Sequence, residues 1–208
     1  MQAMRSFLAR VLARMAYAVN ATAPGVKRLL PKSLRRFLLL NVLGAQRGYP
    51  DVSRKVLETE ILPEVARRHA KVLFVGTGSY TYRYERLFRR GQYTTIDSNP
   101  SNAVWGADDH IVGLIQELPR LRPPGSLDCV VLNGVFGFGV NDPDTMRAVA
   151  KALAESLQPN GSLIVGWNTD MHDDPERLNI FTAHFRRAPE PRRTFPGETH
   201  VYDFYVRQ

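Results

Sequence analysis

Between residues 71 and 165, short, largely apolar, strand-like runs recur with helical or turn-like stretches between them, and few folds satisfy that pattern. The runs cover 72–75, 93–96, 110–112, 129–132 and 163–165. A strand that buries one face alternates apolar and polar residues, whereas a strand covered on both faces reads as a continuous apolar run. Parallel neighbours also need a crossover of a dozen or so residues between them. The spacing therefore predicts a parallel sheet with helices on both faces. Between the runs the pattern gives a helix over 82–90, a turn or short helix over 99–105 and a turn over 114–118. A stronger helix covers 142–157, with Met146, Val149, Ala150, Leu153 and Leu157 on one face. Asn141 or Asp142 can cap its start, and Pro159-Asn160-Gly161 stops it. The end of the chain differs. Residues from Phe185 and again over 201–206 read as strands joined by a loop over 188–199, too short for a crossover, so an antiparallel terminal pair is expected.

Charge divides the chain at about residue 50. The first 50 residues hold nine Lys and Arg and no Asp or Glu, leaving 19 of the 28 basic residues against all 20 acidic ones. The body is thus near neutrality, which argues against a nucleic-acid clamp; no nucleic-acid partner is expected. Met4, Leu8, Val11, Leu12, Met15 and Val19 fall on one face of a helix, and Leu34, Phe37, Leu38 and Leu40 stand among Lys32, Arg35 and Arg36. Neither run approaches the roughly 20 apolar residues that span a bilayer. Residues 1–50 read as a basic amphipathic helical arm with three open uses: packing on the body as a lid or dimer surface, contact through residues 1–45 with an anionic membrane, or organelle targeting. Cytoplasmic residence, at the inner face of a membrane if the arm binds lipid, is the expectation. Residues 51–68 read as a helix broken near Pro63, with Val52, Val56, Leu57, Ile61 and Val65 inward. The lone cysteine, Cys129, lies in an apolar run and reads as a buried, inert thiol.

Chemistry enters at Lys71-Val-Leu-Phe-Val-Gly76-Thr77-Gly78-Ser-Tyr80, a strand running through a glycine turn into a helix. Glycines let a ligand approach the backbone, and a following helix start offers free N–H groups. Asp97 closes the second strand, where a carboxylate can accept both hydroxyls of a ribose. No metal-binding spacing stands out: Asp108-Asp109-His110 are consecutive and diverge, which favours a polar turn.

Residues 72–206 resemble a class I S-adenosylmethionine-dependent methyltransferase domain. The resemblance rests on the order of four motifs: residues 72–80, YTTIDSN ending around Asp97, LDCVVLNG ending at Asn133-Gly134, and LQPNGSLIVG. It implies a Rossmann-like α/β fold with a mostly parallel seven-stranded sheet, an antiparallel C-terminal strand and helices on both faces, here carrying an N-terminal arm. It also implies S-adenosylmethionine as cofactor. Gly76, Thr77 and Gly78 would admit its methionine portion, Asp97 would hold the ribose and Ser98 would lie against the adenine. Asn133 and Gly134 would face the methionyl group, and Tyr80 could offer an aromatic face to the sulfonium. Three positions depart from the family pattern: Phe74 where an acid is common, Tyr80 where a third glycine is common, and Gly113 or Leu114 where an acid often meets the adenine.

The function that follows is methyl transfer to a small-molecule or glycan- or lipid-linked acceptor. His172, with Asp170 in the segment after the fifth strand, is the candidate base, and Phe136, Phe138 and Trp167 either shape an acceptor pocket or belong to the core. The Pro-Pro-aromatic run of nucleic-acid amino methylating enzymes is missing after Asn133, and a nicotinamide dehydrogenase would need its third glycine at Thr81. The alternative outside catalysis is a binding module on the same fold, possible because fold does not fix activity.

Overall fold

A computed structural model describes residues 51–208; the basic arm and its three readings lie outside the described residues. The described chain opens with a helical run over 52–68, α1, built from Val52–Val56, a π-helical turn Leu57–Ile61 and Leu62–Arg68. The break expected near Pro63 is a change of pitch instead. Proline has no N–H to donate one turn back, and the π turn lies just ahead of it, so the run continues. Then follow β1 (Val72–Val75), a 3₁₀ segment (Thr81–Leu87), β2 (Tyr93–Asp97), a second 3₁₀ segment (Pro100–Trp105) and β3 (Asp109–Val112). After the short α2 (Leu118–Leu121) come β4 (Leu127–Asn133), α3 (Pro143–Ser156) and β5 (Leu157–Asn168). The chain closes with β6 (Phe185–Arg187), β7 (Arg193–Thr194) and β8 (His200–Arg207).

The sheet runs β3-β2-β1-β4-β5-β8-β6, with β7 pairing to β8. β1 to β5 are mutually parallel, and β8 runs antiparallel between β5 and β6. The predicted terminal pair is thus present. The eighth strand, β7, comes from the loop over 188–199, where two residues find partners on β8. The helix expected over 82–90 is only the 3₁₀ segment Thr81–Leu87. Asp142 caps α3 by accepting the Thr145 backbone N–H at 2.8 Å. α3 ends at Ser156, ahead of Pro159-Asn160-Gly161, and those residues form an outward excursion within β5 while its register slips between Leu127 and Cys129.

Why the strands read as unbroken apolar runs is visible in β1. Leu73 and Val75 join one buried cluster with Met146, Val149 and Leu153 of α3, while Val72 and Phe74 join another with Leu57, Leu62 and Val65 of α1. Alternate side chains leave opposite faces of a strand, and each face has its own helix. Cys129 is buried in the α1-side cluster, where burial pushes its thiol well above the ordinary range. Phe74 packs edge-on against Tyr84, with ring centroids 5.4 Å apart, so its position belongs to the core.

One charged group is buried in this sheet. Asp203 on β8 is 1% exposed and accepts from the Trp167 indole N–H at 2.8 Å, from Arg187 at 2.7 Å and from Arg192 at 2.7 Å. This assigns Trp167 to the core. Asp203→Asn leaves two guanidinium groups facing a neutral partner, and removing one member of a buried pair costs about 3 kcal/mol. A urea titration should show a lower unfolding midpoint with an unchanged slope; an unchanged midpoint contradicts the role given to this cluster.

Candidate functional site

The carboxyl ends of β1, β2 and β4 open on one edge of the sheet, and the loops there make two adjoining cavities. At the first loop Gly76 takes φ +83°, a conformation that disfavours a side chain, and its N–H donates to Ile96 O at 2.9 Å. Thr77 donates its backbone N–H to Asp97 Oδ2 at 2.7 Å, Asn99 donates its own to Oδ1 at 2.8 Å, and Asn102 Nδ2 reaches Oδ2 at 3.2 Å. Asp97 therefore ties the loop after β1 to the loop after β2.

The smaller cavity, of about 430 Å³, is lined by the sequence-predicted Gly76, Thr77, Tyr80, Asp97, Ser98, Asn133 and Gly134. Gly113 and Leu114 also line it, so the apolar stretch after β3 does face this space. Gly78 does not line it. Its N–H donates to Thr81 Oγ1 at 3.1 Å, and a side chain there would meet the Tyr80 ring at 3.0 Å. The helix start expected to present free N–H groups is thereby replaced by the short Thr81–Leu87 segment, with Tyr80 turned over the glycine.

The larger cavity, of about 510 Å³, lies beyond, between the start of α1 and the start of β8. Asp51, Ser53 and Arg54 line it from α1, Asn168 from the end of β5, and Glu198, Thr199, His200 and Tyr202 from the approach to β8. Tyr80, Asn133, Gly134 and Phe138 line both cavities. Of the two phenylalanines after Asn133, Phe136 is buried core and Phe138, 61% exposed, stands at the junction. The Arg54 guanidinium lies 4.2 Å from the Tyr80 ring centroid and donates to Tyr84 Oη at 2.8 Å. Glu198 holds the start of α1 in place by accepting the backbone N–H of Val52 and, at 3.0 Å, of Ser53. Burial opposes the Glu198 charge, yet these bonds prevail and keep its carboxyl below the usual range.

His200 is the functional candidate that sequence reading missed. Its Nδ1 lies 2.9 Å from Asn168 Oδ1 and its Nε2 3.1 Å from Asn133 Oδ1. The antiparallel pairing of β5 and β8 sets His200 opposite Asn168, and Gly166 leaves room for the group: a side chain there would fall 2.0 Å from Asn133 Oδ1 and 2.9 Å from His200 Nε2. The sequence pattern ends the loop at residue 199 and starts the last strand at Val201, with His200 in neither; only the pairing register reveals its place. His172, the residue expected to act as base, lines neither cavity. Its ring packs 5.1 Å from Trp167 and 5.8 Å from Phe136, and its Nδ1 contacts Asp173 O at 2.7 Å. Asp109 and His110 belong to β3 rather than to a polar turn before it; Asp109 pairs with Arg122, and His110 Nδ1 lies 2.8 Å from Thr95 Oγ1. No group of three or more potential metal ligands occurs among the described residues.

No protein-family model matches the chain, and no curated protein does. Solved structures do. An N-methyltransferase, NodS from Bradyrhizobium japonicum, in complex with S-adenosylhomocysteine, superposes with a TM-score of 0.59 at 15% identity, covering 84% of this chain and 97% of that one. A TehB-like S-adenosylmethionine-dependent methyltransferase from Corynebacterium glutamicum gives 0.57 at 14%, covering 85% and 96%. The Burkholderia thailandensis 1,6-didemethyltoxoflavin-N1-methyltransferase, with 1,6-didemethyltoxoflavin and S-adenosylhomocysteine bound, gives 0.51 at 17%, covering 86% and 90%. The fold is that of the class I S-adenosylmethionine-dependent methyltransferases. Among the described residues no helix is long and apolar enough to cross a membrane.

Burial, and next the Arg54 charge, push the His200 imidazole down from 6.5 to about 4. A lowered folded value means that the unfolded chain binds more protons between those two values. The stability gained by burying neutral His200 is therefore complete above pH 6.5 and is lost as pH falls toward 4. An NMR titration of the ring should give a midpoint near 4; a midpoint near the ordinary value contradicts this environment.

Proposed function

We propose that the chain binds S-adenosylmethionine in the smaller cavity and transfers its methyl group to a small-molecule acceptor held in the larger one. The observation that carries this reading is the meeting of the two cavities at Tyr80, Asn133, Gly134 and Phe138. Bound there, the cofactor supplies a methyl group on a good leaving group. What the protein has to add is position, and holding two reactants in attack geometry is worth about 7–11 kcal/mol at best.

Each residue then has a task on this reading. Asp97 holds the ribose, whose hydroxyls take the carboxylate positions beside the Thr77 and Asn99 N–H groups in competition with the longer Asn102 contact. Ser98 and the apolar wall at Leu114 take the adenine; an apolar wall can hold a base by contact where the family often uses an acid. Gly76, Thr77, Asn133 and Gly134 border the methionine portion, with Gly78 keeping Tyr80 close to that loop. The Tyr80 ring attracts a sulfonium cation, and Arg54 on the ring orients it. The larger cavity leaves room for a free small molecule or for the end of a glycan- or lipid-linked one. His200, rather than His172, borders the acceptor.

Titration of the isotopically labelled full chain with S-adenosylhomocysteine tests this assignment. The backbone amide signals of Gly76, Thr77, Asp97, Ser98 and Gly134 are expected to shift together and saturate. Shifts confined to other parts of the molecule, or none from folded protein, would overturn it.

A further inference from the structure

The loop after β3 walls one side of the smaller cavity. β3 lies beside β2 with Val112 opposite Asp97, and the Gly113 N–H donates to Asp97 O at 3.0 Å, so this loop starts next to the second strand end. A single 3₁₀ turn, Ile115–Glu117, follows. It is pinned on both sides. The Leu114 N–H donates to Glu117 Oε2 at 3.2 Å, the Glu117 N–H donates to Leu114 O at 3.0 Å, and Ile115 and Leu118 are buried in the core cluster of α3. Gly113, Leu114 and Ile115 offer the cavity no polar side chain; the half-buried Gln116, which also lines it, does.

Gln116 differs from the other amides and hydroxyls of this wall. Asn102 Nδ2 donates to Asp97 Oδ2 at 3.2 Å, Asn99 Oδ1 accepts the Ser101 N–H at 3.0 Å, and Thr77 Oγ1 donates to Asn102 O at 3.0 Å. Gln116 Oε1 is shielded from water and has no hydrogen-bond partner. Among the described residues that line either cavity, no other side chain carries such an atom. A shielded acceptor without a donor is costly, so a ligand that brings a donor is favoured there. The last torsion of a glutamine is soft, which lets the amide meet a ligand while the turn stays in place.

Adenine has one hydrogen-bond donor, its 6-amino group, and its free ring nitrogens are acceptors. We propose that Gln116 recognises the adenine of the cofactor, with Oε1 accepting an N–H of the 6-amino group. This role rests on the methyl-transfer reading above. An amide suits this base because its own N–H can donate to a neighbouring ring nitrogen while its oxygen accepts from the amino group. Gln116 thus supplies the polar contact that Gly113 and Leu114 lack.

The test is a cycle between the residue and the ligand group, read by calorimetric titration of the full chain. The ligands are S-adenosylhomocysteine and the analogue whose base carries hydrogen in place of the 6-amino group. The natural sequence is expected to bind the analogue about tenfold more weakly, the effect of roughly one hydrogen bond to a shielded oxygen. Gln116→Met, similar in shape but without an acceptor, should bind both ligands equally. Gln116→Glu, which keeps an acceptor, should retain the preference for the amino group. A purely structural Gln116 would instead weaken both ligands alike. Equal affinities in the natural sequence, or a preference undiminished in Gln116→Met or absent from Gln116→Glu, overturns the role given to Gln116. Failure of the folded natural sequence to bind either ligand overturns the methyl-transfer reading, and this role with it.

Discussion

Asn133 and His200 can meet only because residue 166, between them, has no side chain. Gly166 stands on β5 opposite Asn133 on β4 and Tyr202 on β8, so three neighbouring strands converge on one bare backbone position. Any Cβ there would collide with the amide and the imidazole. The contact joins the end of β4, which borders the smaller cavity, to the start of β8, which borders the larger one. It adds a side-chain contact to the wall that Tyr80, Gly134 and Phe138 also share between the two spaces. The polar cluster is held by β4, β5 and the antiparallel β8, which pair side by side in the sheet.

The walls beyond the sheet are held by two carboxylates, each with more than one donor. Glu198 fixes the start of α1 across the larger cavity, and Asp97 fixes the glycine loop against the loop after β2. Both carboxylates accept backbone N–H groups, which are stronger partners for a charged acceptor than for a neutral one. Below Glu198, the buried Asp203 cluster keeps the residues before β8 near the sheet through Arg187 and Arg192. Arg187 on β6 and Arg192 in the stretch before β7 both reach β8 through Asp203.

The sequence shows the sheet well and the larger cavity poorly, for physical reasons. β1 and β4 bury both faces and read as apolar runs, whereas β2 is buried in part and the edge strand β3 is half-exposed, so their runs carry Thr and His. The strand–glycine–acid order likewise marks the end of β1 and of β2, and seven of the eight expected cofactor residues line one cavity. Gly78 is absent from that lining because Tyr80 lies over it, a side-chain placement that no periodicity encodes. His200 is invisible because its importance comes from pairing in register with a strand more than thirty residues earlier, not from its neighbours in sequence. His172 looked attractive for the opposite reason: it stands among acids after the fifth strand, but its ring turns inward onto Trp167 and Phe136. Trp167 and Phe138, equivalent in the sequence, separate into core and cavity once β5 and the loop after β4 are folded.

The most direct measurement is calorimetric titration of the full chain with S-adenosylmethionine and S-adenosylhomocysteine, beside an Asp97→Ala variant shown to be folded. One-site binding of both ligands by the natural sequence, with loss of at least about tenfold in affinity in the variant (roughly the cost of a charge-assisted hydrogen bond), is the predicted result. Binding that ignores Asp97, or no binding of either ligand, would contradict the assignment of the smaller cavity and the methyl transfer built on it.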